Sequence, residues 1–273
     1  MPASAPRAFV RVLGPAMAQA SAIAAALEGR VPNVPKPGAT TAVKAALTIA
    51  DTAAQETLLI PLSREFRAAR LEAEEDTRSV ALFDGSDARK RIVIDPIDGT
   101  LHFYLGAGGP YAVMAGLAID GCYEAALVAL PREGWLFEAV RRGGAQRAQP
   151  AQAPREPATL AREGNALLLS DGVPDAVVER LVARGFAVRR ACGGAVAVAP
   201  LLPGVRGGLR VAKNGMISTR GRIGLLIAAE AGAAITTGCG EPFPLEIDVP
   251  ADALIVADAP EIAAEIRGAL RAS

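Results

Sequence analysis

Histidine is almost absent from this chain: His102 is the single one. A zinc centre built on several imidazoles is therefore excluded. A Ser-His-Asp relay would have to use His102, and no serine in a strand-to-helix elbow accompanies it. Any chemistry must rest mainly on carboxylates. Aromatic residues make up 4% of the chain, and no basic block interleaves with them. Lys plus Arg and Asp plus Glu number 29 each, so the chain has no net charge with which to gather a polyanion. Nucleic acid is not an expected partner. The short runs RRGGAQR (141–147) and RGFAVRR (184–190) read as solvated loop and strand ends. Cysteines are three, Cys122, Cys192 and Cys239, far apart and without metal-ligand spacing. They read as reduced thiols, which points to a reducing, cytoplasmic compartment. No uninterrupted apolar run reaches the roughly 18 residues of a membrane span, so no membrane association is expected. Near the N-terminus, Arg11, Gly14 and Pro15 interrupt an alanine-rich stretch, which reads as a helix of the folded domain rather than an export signal.

What the chain has is apolar residues, 51% of its 273, enough for a substantial core in one large domain or two ordinary ones. Helical spacing marks 5–29 and 40–66, the second bent or split at Pro61. Short β-like runs follow at 70–74, 91–95, 112–120, 122–130 and 134–142. Tight turns join the last three into an antiparallel meander. The Pro-, Ala- and Gln-rich stretch 143–164 reads as a boundary or long connection, which divides the chain into 1–150 and 151–273. Beyond it strands and helices alternate, as in an α/β layer packed on the first half.

The most informative stretch is RIVIDPIDGTLHF (91–103). An apolar strand delivers Asp95 at its carboxyl end. Pro96 fixes a turn, Asp98 returns toward the same space, and Gly99 and Thr100 open a helix whose free N–H groups favour a phosphate. Two carboxylates facing one small volume repel each other and require a proton, a cationic side chain or a metal. Hard oxygen donors beside a phosphate cradle favour Mg²⁺. Upstream, EAEED (72–76) ends another β-like run and offers Glu75, with Asp76 as a second candidate. Asp51, on the polar face of the second helix, could pair with the Thr100 hydroxyl to orient a water.

The order of these pieces resembles the inositol monophosphatase family, Mg²⁺-dependent and lithium-sensitive phosphatases grouped with fructose-1,6-bisphosphatases. The likeness includes DPIDGT, the acidic pair before it and TxxD further upstream. It extends through YAVMAGLAIDG, LFEAVRRGGA, RRACGGAVAVAPL and GLLIAAEAGAAIT, nearly the whole chain. The resemblance implies an α/β (α+β) fold, a layered α-β-α-β-α sandwich, and a homodimer. It implies Glu75, Asp95 and the Ile97 carbonyl as ligands of a first metal, and Asp95 and Asp98 as ligands of a second. Gly99 and Thr100 would hold phosphate, Thr100 and Asp51 would orient the attacking water, and the segment with Gly194 and Ala195 would lie near substrate.

The chain departs from the family pattern in one informative place. The family's Trp-Asp pair falls on Thr219 and Arg220, so an arginine stands where a second-metal aspartate is expected. Arg220 could point away and leave a weak second metal. It could instead occupy that region as a fixed cation that binds phosphate. Or catalysis has been lost, and the protein binds a ligand or partner without turnover. Lys213 replaces an acid that holds sugar hydroxyls in inositol-specific relatives; it reads as favouring a more anionic substrate, or as a solvated strand-end lysine. His102 is either a supporting hydrogen-bond partner or a helix-start residue. The expected activity is Mg²⁺-dependent hydrolysis of a small phosphomonoester, such as an inositol or sugar phosphate. The alternative is a weak or inactive relative with a binding or regulatory role. Hydrolysis of 3′-phosphoadenosine phosphates ranks below both, because the few aromatics leave no clear adenine platform.

Overall fold

The computed structural model describes residues 4–31, 49–105, 108–212 and 215–271. Helix α1 (Ala5–Leu27) runs through Pro15, which faces solvent, and α2 (Ile49–Phe66) runs through Pro61. The helix is not split at Pro61. Leu58, Leu59 and Leu62 are fully buried on either side of it, and this packing holds the helix where one hydrogen bond is lost. The portion of that expected helix at 40–48 lies outside the described residues. Helix α1 is long and apolar enough to cross a membrane by length and composition, but Phe9, Leu13, Met17, Ala20 and Ala24 are buried in the core.

Seven strands then form one sheet in sequence order: β1 (Ala69–Glu72), β2 (Asp87–Asp98), β3 (Ala112–Ile119), β4 (Cys122–Leu130), β5 (Trp135–Val140), β6 (Ala145–Ala148) and β7 (Glu156–Pro157). The meander from β3 to β5 matches its expected strands closely. The stretch expected to be a bare connection instead carries β6 and β7, which pair Gln146 with Pro157 and Arg147 with Glu156. Their four- and two-residue lengths are too short to show a periodic pattern. Strand β1 pairs parallel to β2, with Leu71 opposite Ile92 and Glu72 opposite Val93. A parallel pair needs a crossover, here the segment with a 3₁₀ turn at Arg78–Leu82. The carboxyl ends of both strands therefore emerge at the same edge.

A second, five-stranded sheet follows in the order β11-β12-β10-β8-β9. Its members are β8 (Ala166–Leu169), β9 (Ala187–Arg190), β10 (Val205–Val211), β11 (Ala234–Thr236) and β12 (Ala253–Ala257). Strands β8 and β10 are parallel, so their carboxyl ends also share an edge. The helices are α3 (Thr100–Leu105), α4 (Asp175–Ala183), α5 (Gly193–Ala197), α6 (Ile223–Glu230) and α7 (Pro260–Arg271).

Alternation along the strands builds the layers. In β2, Ile92 and Ile94 point into a core shared with α1 and α2, and Val93 points the other way, into a core shared with Val196, Ile223 and Leu226. In β8, Leu168 joins that central core, and Leu167 and Leu169 join a third with Val177, Leu181 and Ile266 of α4 and α7. The result is the α-β-α-β-α stack. Both faces of each sheet are covered, which explains why these strands read as continuous apolar runs.

Candidate active site

The carboxyl ends of β1 and β2, and of β8 and β10, converge on a cleft of about 550 Å³. Asp95, Ile97, Asp98, Gly99 and Thr100 line it from the first sheet. The register of β2 against β3 shifts between Asp95 and Asp98, and this bulge turns both carboxylates toward the cleft. Gly99 follows with φ +87°, and a Cβ there would lie 2.7 Å from the Cβ of Cys192. Only glycine allows this turn to pack against the start of α5.

Asp95 is 5% exposed, and its Oδ1 has no hydrogen-bond partner. Burial first, then Asp98 and Glu74, push its carboxyl well above the usual carboxylate range; Arg220 acts in the opposite sense. The Thr100 hydroxyl lies 3.0 Å from the Ile97 carbonyl and 3.4 Å from Oδ1 of the buried Asp51. The expected pairing of Asp51 with Thr100 is thus present in the geometry.

The expected Glu75 does not line the cleft; Glu74 does. Gln55 of α2 explains the difference. Its side-chain amide donates to the Glu75 carbonyl at 2.6 Å and accepts from the Glu75 N–H at 2.9 Å. This clamp fixes the backbone one residue past the acid that reaches the site. Gly194 and Ala195 also stand outside the lining. The Gly194 N–H donates to Asp98 Oδ2 at 2.5 Å, and the Ala195 N–H donates to the Cys192 sulfur at 3.3 Å. Both groups are therefore engaged within the protein. Burial, and then Asp98, push the Cys192 thiol well up. Lys213 lies outside the described residues.

Arg220 faces into the cleft. Its Nη1 lies 2.7 Å from Glu74 Oε2, and its Nε lies 4.0 Å from Asp95 Oδ2. Burial works against its charge, but Asp95, Glu74 and Asp98 outweigh burial and hold it firmly protonated. The loop that carries it is fixed from below. Arg222, 1% exposed, donates to the carbonyls of Ile217, Pro244, Glu246 and Val249 and lies over the Phe243 ring. The Tyr123 hydroxyl donates to the Thr219 carbonyl at 2.9 Å.

Three further residues were missed or left open by the sequence. His102 Nε2 lies 3.1 Å from Asp171 Oδ2, and both line the cleft. Asp171 lies two residues past the end of β8, in SDG, so an acid just past a parallel strand was the available signal. Arg210 sits near the carboxyl end of β10, after two glycines.

No curated protein matches the chain by sequence. Solved structures do match it in fold. The extragenic suppressor protein SuhB from Bartonella henselae superposes with a TM-score of 0.77 at 18% identity, covering 97% of this chain and 99% of that one. An IMPase from Thermotoga maritima gives 0.72 at 19%, covering 96% of each. Inositol monophosphatase from Anabaena gives 0.66 at 19%, covering 97% of this chain and 95% of that one. These likenesses define a layered α/β protein of the same fold. The chain matches the inositol monophosphatase family over residues 11–203 and belongs to that family. Family and fold together indicate an inositol-monophosphatase-like phosphatase.

Proposed function

We infer that the cleft hydrolyses a small phosphomonoester with the help of one Mg²⁺ ion. The observation that carries this reading is Asp95: a buried carboxylate with an unpartnered oxygen, in a cluster with Asp98 and Glu74. Glu74, Asp95 Oδ1 and the Ile97 carbonyl form an all-oxygen donor set that fits one Mg²⁺. The Ile97 carbonyl meets the Thr100 hydroxyl and keeps a second lone pair. A second metal does not fit. Beside Asp95 and Asp98, where a third carboxylate would complete its site, stands the Arg220 guanidinium, with Nε 4.0 Å from Asp95 Oδ2. Among the described residues no group of three or more His, Cys, Asp or Glu side chains is set to hold a metal.

Bound Mg²⁺ supplies a Lewis acid toward a phosphoryl oxygen. The protein's own groups do the rest. Asp51 accepts through Thr100 or from a water beside it, and so holds a proton acceptor where the nucleophile must approach. The turn at Gly99 and Thr100 positions the phosphate. Arg220 supplies fixed positive charge to oxygens on which negative charge grows, at no cost in reorganisation. It cannot ionise a water as a metal does, so turnover should be slower than in a site with two metals.

One observation favours a second reading, a binding protein with little turnover: the same Arg220 contacts, which tie up two of the carboxylates. Phosphate release from inositol 1-phosphate, fructose 1,6-bisphosphate, histidinol phosphate and 3′-phosphoadenosine 5′-phosphate, with and without Mg²⁺, separates the two. Mg²⁺-dependent release from any of them supports the phosphatase; none from all of them at high enzyme and Mg²⁺ supports the binding protein.

A further inference from the structure

The basic side chains of the cleft are not equally engaged. Arg220 is matched by Glu74 and Asp95, and His102 by Asp171. Arg210 lines the same cleft and has neither an ion-pair nor a hydrogen-bond partner among the described residues. Its guanidinium is nonetheless held in place. A Cβ on Gly193 would fall 1.9 Å from Arg210 Nη1, and one on Gly221 would fall 2.4 Å from it. Two glycine backbones, one opening α5 and one beside Arg220, thus leave the space that the guanidinium fills. Its strand is anchored on both sides, with Leu209 paired to Ile255 of β12 and to Leu169 of β8.

A partly buried guanidinium without a carboxylate partner is costly unless something anionic meets it. The cleft's own acids meet other groups: Glu74 and Asp95 face Arg220, Asp98 accepts from the Gly194 N–H, and Asp171 meets His102. We propose that Arg210 recognises a second anionic group on the substrate, which makes this a site for phosphomonoesters that carry a further phosphate or carboxylate. The proposal deepens the reading of the cleft as a phosphate-ester site and rests on it for the first anion only. A planar guanidinium pairs with either oxyanion through two parallel hydrogen bonds.

The test uses matched pairs: fructose 1,6-bisphosphate against fructose 6-phosphate, and 3-phosphoglycerate against glycerol 3-phosphate. Binding of each to the whole protein is measured by calorimetry without metal, and phosphate release is followed in parallel with Mg²⁺. The expected result is that the member of at least one pair that carries the second anionic group binds about tenfold or more tighter, the scale of a charged hydrogen-bonded contact. Which pair responds tells phosphate from carboxylate. Arg210→Gln should collapse that ratio toward one. Arg210→Lys, which keeps the charge and loses the fork, should leave a few-fold preference. Near-ultraviolet circular dichroism checks that both variants are folded, and if Arg210→Gln is not, the ratio in Arg210→Lys decides. Equal binding within both pairs, no binding of any compound, or a preference that survives substitution undiminished would overturn the proposal. An Arg210-dependent preference without phosphate release would contradict the phosphatase reading and leave this one standing.

Discussion

Arg220 pairs with Glu74 and lies near Asp95: Nη1 is 2.7 Å from Glu74 Oε2, and Nε is 4.0 Å from Asp95 Oδ2. The cleft therefore carries a permanent cation on a loop that Arg222 locks in place. Its electrostatics differ from those of a site that is neutralised only when metal arrives.

Replacing Arg220 by aspartate should convert this arrangement. The substitution removes a positive charge and adds a ligand, so Mg²⁺ affinity should rise by about tenfold or more, equivalent to about 1.4 kcal/mol. Calorimetric titration of Arg220→Asp against the unaltered protein reads this directly. If phosphate release falls while Mg²⁺ binding tightens, the guanidinium takes part in the reaction. If both rise, it only stood in for a ligand.

Asp95→Asn should separate activity from stability. The Asp95 carboxyl has its protonation pushed upward in the folded state, so the folded protein binds more protons there than the unfolded chain. Without metal, stability contributed by this group falls as pH rises from the ordinary carboxylate range toward its raised value. Asparagine removes that cost. Its thermal midpoint at neutral pH should rise by roughly 2–4 °C while Mg²⁺-dependent phosphate release is lost. A lower midpoint at neutral pH would argue that the contact with Arg220 outweighs the repulsion.

Gly99→Ala should be damaging beyond its size. The residue has a positive φ, and the added Cβ would meet Cys192 at 2.7 Å. Denaturant unfolding should show a loss of about 1–3 kcal/mol. Any activity should drop by more than tenfold, because Thr100 is displaced from Asp51.

Arg222→Met should be among the most destabilising substitutions in the protein. It leaves the carbonyls of Ile217, Pro244, Glu246 and Val249 without their shared donor in a buried position. A loss of about 3 kcal/mol or more is expected from denaturant unfolding. A change below 1 kcal/mol would show that the loop carrying Arg220 is held by other contacts.

Much of this was legible in the sequence where local pattern and tertiary structure agree. The apolar run through Ile92, Val93 and Ile94 marked a strand that delivers Asp95, and DPIDGT marked the turn after it. Arg220 was legible as a departure, though only the structure showed that it reaches Glu74 and Asp95. Other features depended on contacts remote in sequence. The choice of Glu74 over Glu75 is set by Gln55, twenty residues away on another element. The use of the Gly194 N–H by Asp98 depends on two sheets meeting. Arg210 read as an ordinary strand residue, because its exposure to the cleft and its lack of a partner arise only when Gly193 and Gly221 close around it. Of the bend or split that Pro61 suggests, the split does not form, because the buried leucines around it hold the helix together.

The central claim is that one Mg²⁺ at Glu74, Asp95 and Ile97 drives phosphomonoester hydrolysis in this cleft. Its most direct test is phosphate release as a function of Mg²⁺ concentration, in the unaltered protein and in Asp95→Asn, with the best of the substrates above. The account predicts no release without Mg²⁺, saturation consistent with a single site, and a flat response in Asp95→Asn. Release that is independent of Mg²⁺, or equal in the two proteins, would contradict it.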